Sequence, residues 1–501
     1  MNTGFAFCFA CNQSKLNKVE HDFYIENLST GFLVLKENIK NRKAVCENYT
    51  AYLIGEVYNI SILKSTLGNI EGSVWSLNDA EVICMLREKL GESAVSLAEG
   101  DFCILIEYHN GIIEVITESR GLNLISFVRA EQIWITNSLK IVGAIEGEHA
   151  FDFRPEKEVI YSSLKADDFS PIRNVSRLKP GTITKIKFDD QKYHYIESKK
   201  LSEPVENSIL TLDEDILINL IDMNLRYSIS RLVDTNASIG IPLSGGLDSS
   251  LVTALASQYF KKIKTWSIGT ELSNEFEFSQ IVADSLGTEH EVKILSEDDI
   301  ISGVVKAVYY NEIFDGLSSE IQSGLFNVYE LAKGKVDSLL TGYGSDLLFG
   351  GILNPLEKYN NPNKILSEQV YRTKWTGEFS THGSKSYGLN VYHPFWNNSL
   401  ITLCHRLDPH FKIRDNEVKN ILREYTDSLN LLPKEIVWRK KIGIHEGSSV
   451  NKAFANIIGT DVKNYQEKTR FSYALYREIL SGKLTIEEAC PAKLREIAKR
   501  S

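Results

Sequence analysis

Strands and helices alternate along the second part of the chain, and this alternation limits the fold more than any other feature. After a predicted helix at 213–232, short apolar runs are followed by amphipathic segments of helical period. The predicted strands are 238–243, 264–268, 291–295 and 337–341, and the helices between them are 249–260, 278–286 and 299–310. Such alternation forms a parallel sheet with right-handed crossovers. The sequence therefore predicts an α/β domain that binds its ligand at the carboxyl ends of the strands.

The first part of the chain has a different pattern, in which short alternating or aromatic runs follow each other closely. The predicted strands are 4–10, 32–35, 51–58, 101–108, 112–117, 132–136 and 182–188, with one helix at 79–90. Residues 109–111 (His-Asn-Gly) predict a hairpin. We therefore predict a strand-dominated, layered α+β domain over residues 1–205 and a second domain over residues 206–501, joined by a linker near 201–210.

Composition and charge exclude several kinds of partner. The net charge of −10 argues against nucleic acid, because phosphate contacts on DNA or RNA need an excess of Lys and Arg. Seven cysteines lack metal-ligand spacing, since the pair Cys8 and Cys11 has no second pair nearby. No apolar run is long enough to span a membrane, and the apolar N-terminus lacks a positive region and a clear cleavage site. We expect a cytoplasmic protein with no nucleic-acid or membrane partner.

A loop between the first strand and first helix of the α/β pattern predicts a phosphate site. Residues 244–250 read Ser-Gly-Gly-Leu-Asp-Ser-Ser. Two glycines let the backbone turn sharply toward an anion, and the following helix points its positive end at it. Asp248 would repel a bare phosphate, so its presence indicates a bridging Mg²⁺. Asp346 also follows the end of a predicted strand, so both carboxylates are candidate metal ligands facing one crevice.

This loop resembles the pyrophosphate loop of the ATP pyrophosphatases, which cleave ATP to AMP and pyrophosphate. It is not a Walker loop, which would need Gly-Lys-Ser/Thr. In the class it resembles, the end of the second strand cradles the adenine. The ATP-binding residues we expect are Leu243, Ser244, Gly245, Gly246, Asp248, Ser249, Ser250, Ser267, Ile268, Gly269 and Gly342.

Further segments resemble the class B asparagine synthetase superfamily, in the branch that holds the β-lactam and carbapenam synthetases. The segments are 267–276, 341–346 and 440–448, with 98–103 and 309–316 matching carbapenam synthetases in particular. The resemblance implies an Ntn-hydrolase-like sandwich followed by an ATP-pyrophosphatase-type domain. A working glutaminase of this superfamily has a cysteine directly after the initiator Met, where this chain has Asn2. Residues 55–59 resemble a glutaminase strand, so we expect the fold to be kept without glutamine hydrolysis.

The resemblance also implies catalytic roles. Tyr343 and Glu378 match a dyad that removes the proton from the substrate amine, and Lys441 matches a cation that stabilises the oxyanion and the departing AMP. Tyr343, Gly344 and Glu378 are the expected substrate-binding residues. On local sequence alone, Glu378 reads as a solvated acid and the basic run at 439–441 as a solvated surface.

The favoured reaction is ATP- and Mg²⁺-dependent closure of 5-carboxymethylproline to carbapenam-3-carboxylate, with release of AMP and pyrophosphate. The partner is then a small amino dicarboxylate, and we expect a homo-oligomer, a tetramer being one option. Alternatives are a monocyclic β-lactam synthetase for a carboxyethyl-arginine-like substrate and a lasso-peptide cyclase. A nucleotide-binding regulatory module is the non-enzyme alternative.

Overall fold

The computed structural model of the chain describes residues 4–9, 23–36, 42–68, 73–163, 169–189, 192–201, 208–233, 238–440, 443–489 and 491–500. These residues form two compact units. The first contains the described parts of residues 1–204 together with 374–382 and 476–485, and the second contains the described parts of the rest. Both late segments lie beyond the domain boundary predicted from the sequence, between 205 and 206.

Two six-stranded antiparallel sheets form the first unit, with strand orders β10-β8-β9-β1-β3-β2 and β12-β11-β7-β6-β5-β4. The strands are β1 (Phe5–Phe9), β2 (Tyr24–Asn27), β3 (Gly31–Leu35), β4 (Lys43–Val45), β5 (Tyr49–Val57), β6 (Gly100–Tyr108), β7 (Ile112–Thr117), β8 (Ser126–Arg129), β9 (Ile133–Thr136), β10 (Val175–Arg177), β11 (Thr182–Asp189) and β12 (Lys192–Lys200).

The two sheets pack face to face around one hydrophobic core. Phe7 and Leu33 of one sheet share this core with Ile54 and Leu105 of the other. Helices α1 (Ile60–Gly68) and α2 (Asp79–Leu90) cover the second sheet through a separate core. Helix α3 (Leu139–Glu146) contacts β1 and β9, and α4 (Glu156–Ser163) follows it. The predicted layered, strand-dominated domain is therefore present.

A five-stranded, all-parallel sheet lies at the centre of the second unit, in the order β15-β14-β13-β16-β17. Its strands are β13 (Ile239–Pro242), β14 (Ile263–Gly269), β15 (Glu289–Ile294), β16 (Ser338–Leu340) and β17 (Asn390–Tyr392), and a small ribbon pairs β18 (Ile413–Arg414) with β19 (Glu417–Val418).

The remaining helices cover this sheet or follow it. They are α5 (Glu214–Ser230), α6 (Leu247–Ser257), α7 (Phe276–Leu286), α8 (Glu297–Asn311), α9 (Gly316–Ala332), α10 (Ser345–Phe349), α11 (Pro362–Thr373), α12 (His382–Ser386), α13 (Asn398–Arg406), α14 (Asn420–Ser428), α15 (Lys434–Val437), α16 (Ile444–Gly447), α17 (Val450–Ile458), α18 (Tyr465–Leu480) and α19 (Pro491–Arg500). Short 3₁₀ turns occur at Glu92–Leu97, Glu148–Ala150 and Pro409–Phe411.

The strand order reverses between β13 and β16, which are hydrogen-bonded neighbours although four helices and two strands separate them in the chain. In open parallel sheets, ligands bind outside the carboxyl ends of the strands at such a reversal. Gly240 in β13 leaves room for the side chain of Trp266 to pack against the strand, because a Cβ there would lie 2.4 Å from its ring. The reversal brings the residues after β13 and after β16 together.

The predicted strands and helices are confirmed, with ends that differ by at most three residues. The hairpin at 109–111 joins the antiparallel strands β6 and β7. Residue 10 and the central part of the predicted linker, 202–207, lie outside the described residues. None of the described helices is both long enough and apolar enough to cross a membrane.

Candidate active site

Residues 243–246 connect the end of β13 to the start of α6, so the predicted phosphate loop, 244–250, consists of this connection and the first turn of the helix. The Oγ of Ser249 accepts a hydrogen bond from the N–H of Ser244 at 3.1 Å, which holds the loop against the helix. Gly245 has a φ of +71°, and a Cβ there would lie 2.6 Å from the backbone of Phe278, so only glycine fits. Gly246 at the N-cap has no side chain to cap the first turn of α6. The first N–H groups of the helix are therefore available to an anion.

Ser250 supports the same use of this turn. Its side chain is fully buried, and its Oγ has no hydrogen-bond partner among the described residues. Buried polar groups in folded proteins nearly always have a partner. A phosphate oxygen bound at the start of α6 would supply an acceptor, so the residues present fit a nucleotide polyphosphate.

An open pocket lies beside the phosphate loop. Its walls are formed by Pro242, Leu243, Ser244, Trp266, Ser267, Ile268, Glu275, Phe276, Val328 and Ser448. The pocket therefore joins the loop to the end of β14, where the sequence predicts the adenine. Gly269 is needed there, because a Cβ would lie 2.4 Å from Cβ of Asn274.

The two predicted metal ligands, Asp248 and Asp346, contact one buried lysine. Nζ of Lys419 lies 2.6 Å from a carboxylate oxygen of each, and it donates to Oγ of Ser345 at 3.1 Å. The side chain of Lys419 is only 1% exposed. Burial alone would lower the pKa of Lys419, but the two carboxylates raise it above its ordinary value of 10.5. The lysine therefore keeps its positive charge between the two acids.

Two carboxylates that share one cation also suit Mg²⁺. This ion takes oxygen ligands, commonly one or two carboxylates completed by water and substrate phosphates. Across the described parts of the chain, no group of three or more His, Cys, Asp or Glu side chains is arranged to hold a metal. Binding of Mg²⁺ by Asp248 and Asp346 would therefore depend on nucleotide phosphates, and the ion would compete with Lys419.

Tyr343 follows the end of β16, beside the phosphate loop. A Cβ on Gly342 would lie 2.7 Å from the backbone nitrogen of Ser249, so glycine allows this turn to pack against the start of α6. The N–H of Tyr343 donates to Oγ1 of Thr341 at 3.3 Å, and its ring lies 6.1 Å from the imidazole of His393. Gly344 has a φ of +96° and begins α10. Tyr343 and Gly344 therefore stand at the same edge of the sheet as the phosphate loop.

Glu378 lies in a turn of the segment 374–382, which belongs to the first unit. Its N–H donates to Oγ1 of Thr376 at 3.3 Å, and Gly377 before it has a φ of +79°. Further along the segment, the hydroxyl of Thr381 donates to the buried carboxylate of Asp101. Glu378 is half-buried. Its pairing with Tyr343 stays a prediction.

Lys441 lies outside the described residues, so its role also stays a prediction. Arg439, two residues earlier, forms an ion pair with Glu275 and donates to the carbonyl of Gly245 at 3.3 Å. Its guanidinium lies 3.6 Å from the ring centre of Phe278. On the other side of Lys441, a Cβ on Gly447 would lie 2.1 Å from Oε2 of Glu275. The residues before and after Lys441 therefore pack on Glu275 at the nucleotide pocket.

The described residues of the glutaminase-like part of the sequence are buried or hydrogen-bonded within the first unit. Asn2 and Cys11 lie outside the described residues, and Cys8 is fully buried in β1. In the glutaminase-like stretch, the N–H of Glu56 donates to Asp101 at 3.2 Å. Asn59 donates to the carbonyl of Leu97 and accepts from the N–H of Glu99, both at 2.9 Å. Asn59 thus fixes the backbone immediately before β6 begins at Gly100.

Two family models match the chain. The model described as carbapenam-3-carboxylate synthase, N-terminal, matches residues 3–201, and the asparagine synthase model matches residues 220–385 and 381–485. Carboxyethyl-arginine beta-lactam-synthase of Streptomyces clavuligerus is 25% identical over 82% of this chain and 76% of its own length. Glutamine-hydrolyzing asparagine synthetase of Rattus norvegicus is 26% identical over 84% of this chain and 76% of its own.

Solved structures add little to this comparison. NMN synthetase from Francisella tularensis is 13% identical and covers 58% of this chain and 94% of its own, with a TM-score of 0.28. A TM-score this low does not support an argument about the fold.

The asparagine synthase model covers more than half of the chain, so the chain belongs to the asparagine synthase family. This family membership makes it an ATP-dependent, amide-forming C–N ligase. The match of the first 200 residues and the lactam-forming relative confirm the predicted resemblance to the β-lactam synthetase branch.

Sequence reasoning missed three residues of this site: Lys419, Glu275 and His393. Lys419 stands 171 positions after Asp248, and no local pattern connects them. Glu275 was part of a recognised segment without an assigned role, and His393 follows a three-residue strand that the sequence did not reveal. The Pro after His393 is the one local sign that the chain is held extended there.

Proposed function

We propose that the chain activates the side carboxylate of 5-carboxymethylproline with ATP and closes it onto the ring nitrogen to give carbapenam-3-carboxylate. The observation that carries this proposal is the phosphate loop at the sheet reversal, against which Gly342, the residue before Tyr343, packs from the neighbouring strand end. The proposal brings the nucleotide and the phenol of Tyr343 to the same edge of the sheet. The match of residues 3–201 to a carbapenam-3-carboxylate synthase model supports the choice of substrate.

The first half-reaction makes the carboxylate reactive. A carboxylate oxygen attacks the α-phosphorus of ATP, pyrophosphate leaves, and an acyl-adenylate remains. The N–H groups at the start of α6 and the hydroxyls of Ser244, Ser249 and Ser250 hold the phosphates. Bound Mg²⁺, held by Asp248 and Asp346, would supply positive charge to the leaving pyrophosphate. Lys419 keeps these two carboxylates close together.

The second half-reaction closes the ring. The secondary amine attacks the acyl carbon, AMP leaves, and the proton of the amine passes to the phenol oxygen of Tyr343 as the phenol proton passes to the carboxylate of Glu378. A phenol with a pKa of about 10 is a weak acid, so a carboxylate partner is needed to share the proton. Lys441 would stabilise the oxyanion and the AMP as charge develops on them.

The first unit supports an associated proposal. Its two packed antiparallel sheets, covered by helices, have the layering expected of an Ntn-hydrolase-like sandwich. We propose that it is a degenerate glutaminase domain that does not hydrolyse glutamine, since Asn2 replaces the nucleophile. The remaining parts of the proposal are a cytoplasmic location, a small amino dicarboxylate as partner, and a homo-oligomer.

A monocyclic lactam synthetase is the second candidate, because a carboxyethyl-arginine beta-lactam-synthase matches most of the chain. Purified full-length chain, ATP and Mg²⁺ would be incubated with 5-carboxymethylproline or with carboxyethyl-arginine, and the products analysed by mass spectrometry. The proposal expects loss of water from the first substrate, with AMP and pyrophosphate in equal amounts. If only carboxyethyl-arginine were closed to a lactam, the chain would be a monocyclic lactam synthetase. ADP and phosphate as products would overturn both.

A further inference from the structure

Thr341 and His393 stand side by side at the edge of the parallel sheet. Leu340 of β16 pairs in register with Tyr392 of β17. Thr341 directly follows Leu340, and His393 directly follows Tyr392. The N–H of Thr341 donates to the carbonyl of Tyr392 at 3.1 Å, which continues the pairing by one step. Pro394 follows His393 and restricts its backbone to extended conformations. The end of the sheet therefore holds both side chains.

One hydroxyl links the histidine to the backbone of Tyr343. Oγ1 of Thr341 lies 2.6 Å from Nδ1 of His393, and it accepts the N–H of Tyr343 at 3.3 Å. A hydroxyl can accept and donate at once. If it donates to Nδ1, a neutral imidazole carries its proton on Nε2. The two rings are 6.1 Å apart with an angle of 58° between their planes.

The residues next to Tyr343 restrict its backbone little. Glycines precede and follow it, and Gly344 adopts a φ of +96°. Helix α10, which comes next, has only five residues. A proton-accepting group must stand within hydrogen-bond reach of the proton it takes, and a displacement of about 1 Å can reduce a rate about 100-fold.

We propose that His393, acting through the hydroxyl of Thr341, is a positioning residue that holds Tyr343 for removal of the proton from the substrate amine. This rests on the proposed function, in which Tyr343 acts in ring closure. His393 does not take part in adenylation, since the phosphate loop and its hydroxyls follow β13, whereas His393 follows β17.

The test separates ring closure from adenylation in the full-length chain. Closure is followed as lactam formation, and adenylation as hydroxamate formed when hydroxylamine traps the acyl-adenylate. Hydroxylamine already carries a free lone pair at neutral pH, so it needs no base. Thr341→Val removes the hydroxyl at constant shape, and Thr341→Ser keeps it. His393→Phe keeps a ring beside Tyr343, and His393→Asn keeps a polar atom near the position of Nδ1.

We expect Thr341→Val and His393→Phe to lower the closure rate about 100-fold with hydroxamate formation nearly unchanged, and both conservative variants to recover most of the closure rate. Equal loss of closure and hydroxamate, or full closure by Thr341→Val, would overturn the proposal. If Thr341→Val does not fold, the two His393 variants decide. Tyr343→Phe is the control for the proposed function: full closure by that variant would refute the base assignment itself, and not the positioning alone.

Discussion

The ammonium of Lys419 lies 2.6 Å from a carboxylate oxygen of Asp248, although 171 positions separate the two residues in the chain. The same ammonium is 2.6 Å from Asp346, so one buried cation holds together the two acids expected to bind Mg²⁺. Without it, two carboxylates at the phosphate site would repel each other and the nucleotide. We infer that Lys419 keeps the site assembled until nucleotide and metal arrive.

Lys419→Met should lower the free energy of unfolding by about 1–2 kcal/mol, less than the 3–5 kcal/mol of a fully buried pair because both acids are partly exposed. Mg²⁺ together with ATP should restore part of this loss, since a ligand that binds the folded state stabilises it. Urea unfolding with and without Mg²⁺ and ATP measures both effects. Lys434→Met, at a side chain 83% exposed, is the control. Identical unfolding of wild type and Lys419→Met in both conditions would contradict the account.

Gly342→Ala should raise the ATP concentration needed for half-maximal activity about 10-fold, because the added Cβ would lie 2.7 Å from the backbone nitrogen of Ser249 and displace the start of α6. Substrate-dependent ATP–pyrophosphate exchange at varied ATP measures this. Gly68→Ala is the matched control, since its Cβ would meet only a side-chain atom of Val74 at 3.5 Å. An unchanged ATP dependence would show that the turn does not support the phosphate loop.

Glu378→Gln should abolish ring closure with a loss of at least about 100-fold, the size expected for one general base. Exchange of ATP with pyrophosphate should survive better, because it reports adenylation alone. Lys441→Ala should also abolish closure, but a cation near AMP can help adenylation as well, so its exchange should fall further. If Glu378→Gln lost exchange and closure equally while it still bound ATP, the residue would be a substrate-positioning or structural acid.

Glu320 and Lys468 form an ion pair that is fully buried in the second unit, between α9 and α18. Burial raises the pKa of Glu320 to about 7, and Lys468 opposes that rise. Lys468→Met should raise the pKa of Glu320 further, so that the folded variant binds a proton that the unfolded chain has released. Its free energy of unfolding should therefore fall with rising pH above about 7, where that of the wild type no longer depends on this group.

Urea unfolding at pH 6 and pH 8.5 measures the difference for this pair. The loss caused by Lys468→Met should reach about 3 kcal/mol or more at the higher pH and be smaller at the lower. Lys306→Met is the control, since its partner Glu330 is about half exposed and the pair contributes at most about 1 kcal/mol. A loss that is equal at both pH values would contradict the sign worked out for Glu320.

Local pattern predicted seven strands of the first unit and the strand–helix alternation over residues 213–341. The buried runs that became β13 and β14, and the helix Asp79–Leu90, are long enough to show their period. The strand β17 (Asn390–Tyr392) was missed because three residues show no period. Its absence from the prediction also hid His393. The late segments 374–382 and 476–485 join the first unit through contacts that span hundreds of positions, such as Thr381 with Asp101.

In the candidate site too, residues adjacent in sequence were predicted and distant partners were not. The phosphate loop was predicted from residues adjacent in sequence, where each glycine and hydroxyl has a local reason. Tyr343, Glu378 and Lys441 came from the family resemblance, and their roles stay predictions; Gly342, the residue before Tyr343, packs against Ser249 of the loop. Lys419 was invisible because a lysine between two distant acids has no sequence pattern. It follows the ribbon β18–β19 with a φ of +61°, a conformation set by that turn.

The central claim is that a carboxylate is adenylated and then closed into an amide without glutamine. It is tested most directly by giving the enzyme 5-carboxymethylproline with both oxygens of the side carboxylate labelled as oxygen-18, together with ATP and Mg²⁺ and no glutamine. Mass spectrometry of the nucleotide product should find one heavy oxygen in AMP, and the lactam should keep the other. Unlabelled AMP, or label in phosphate formed together with ADP, would contradict the account.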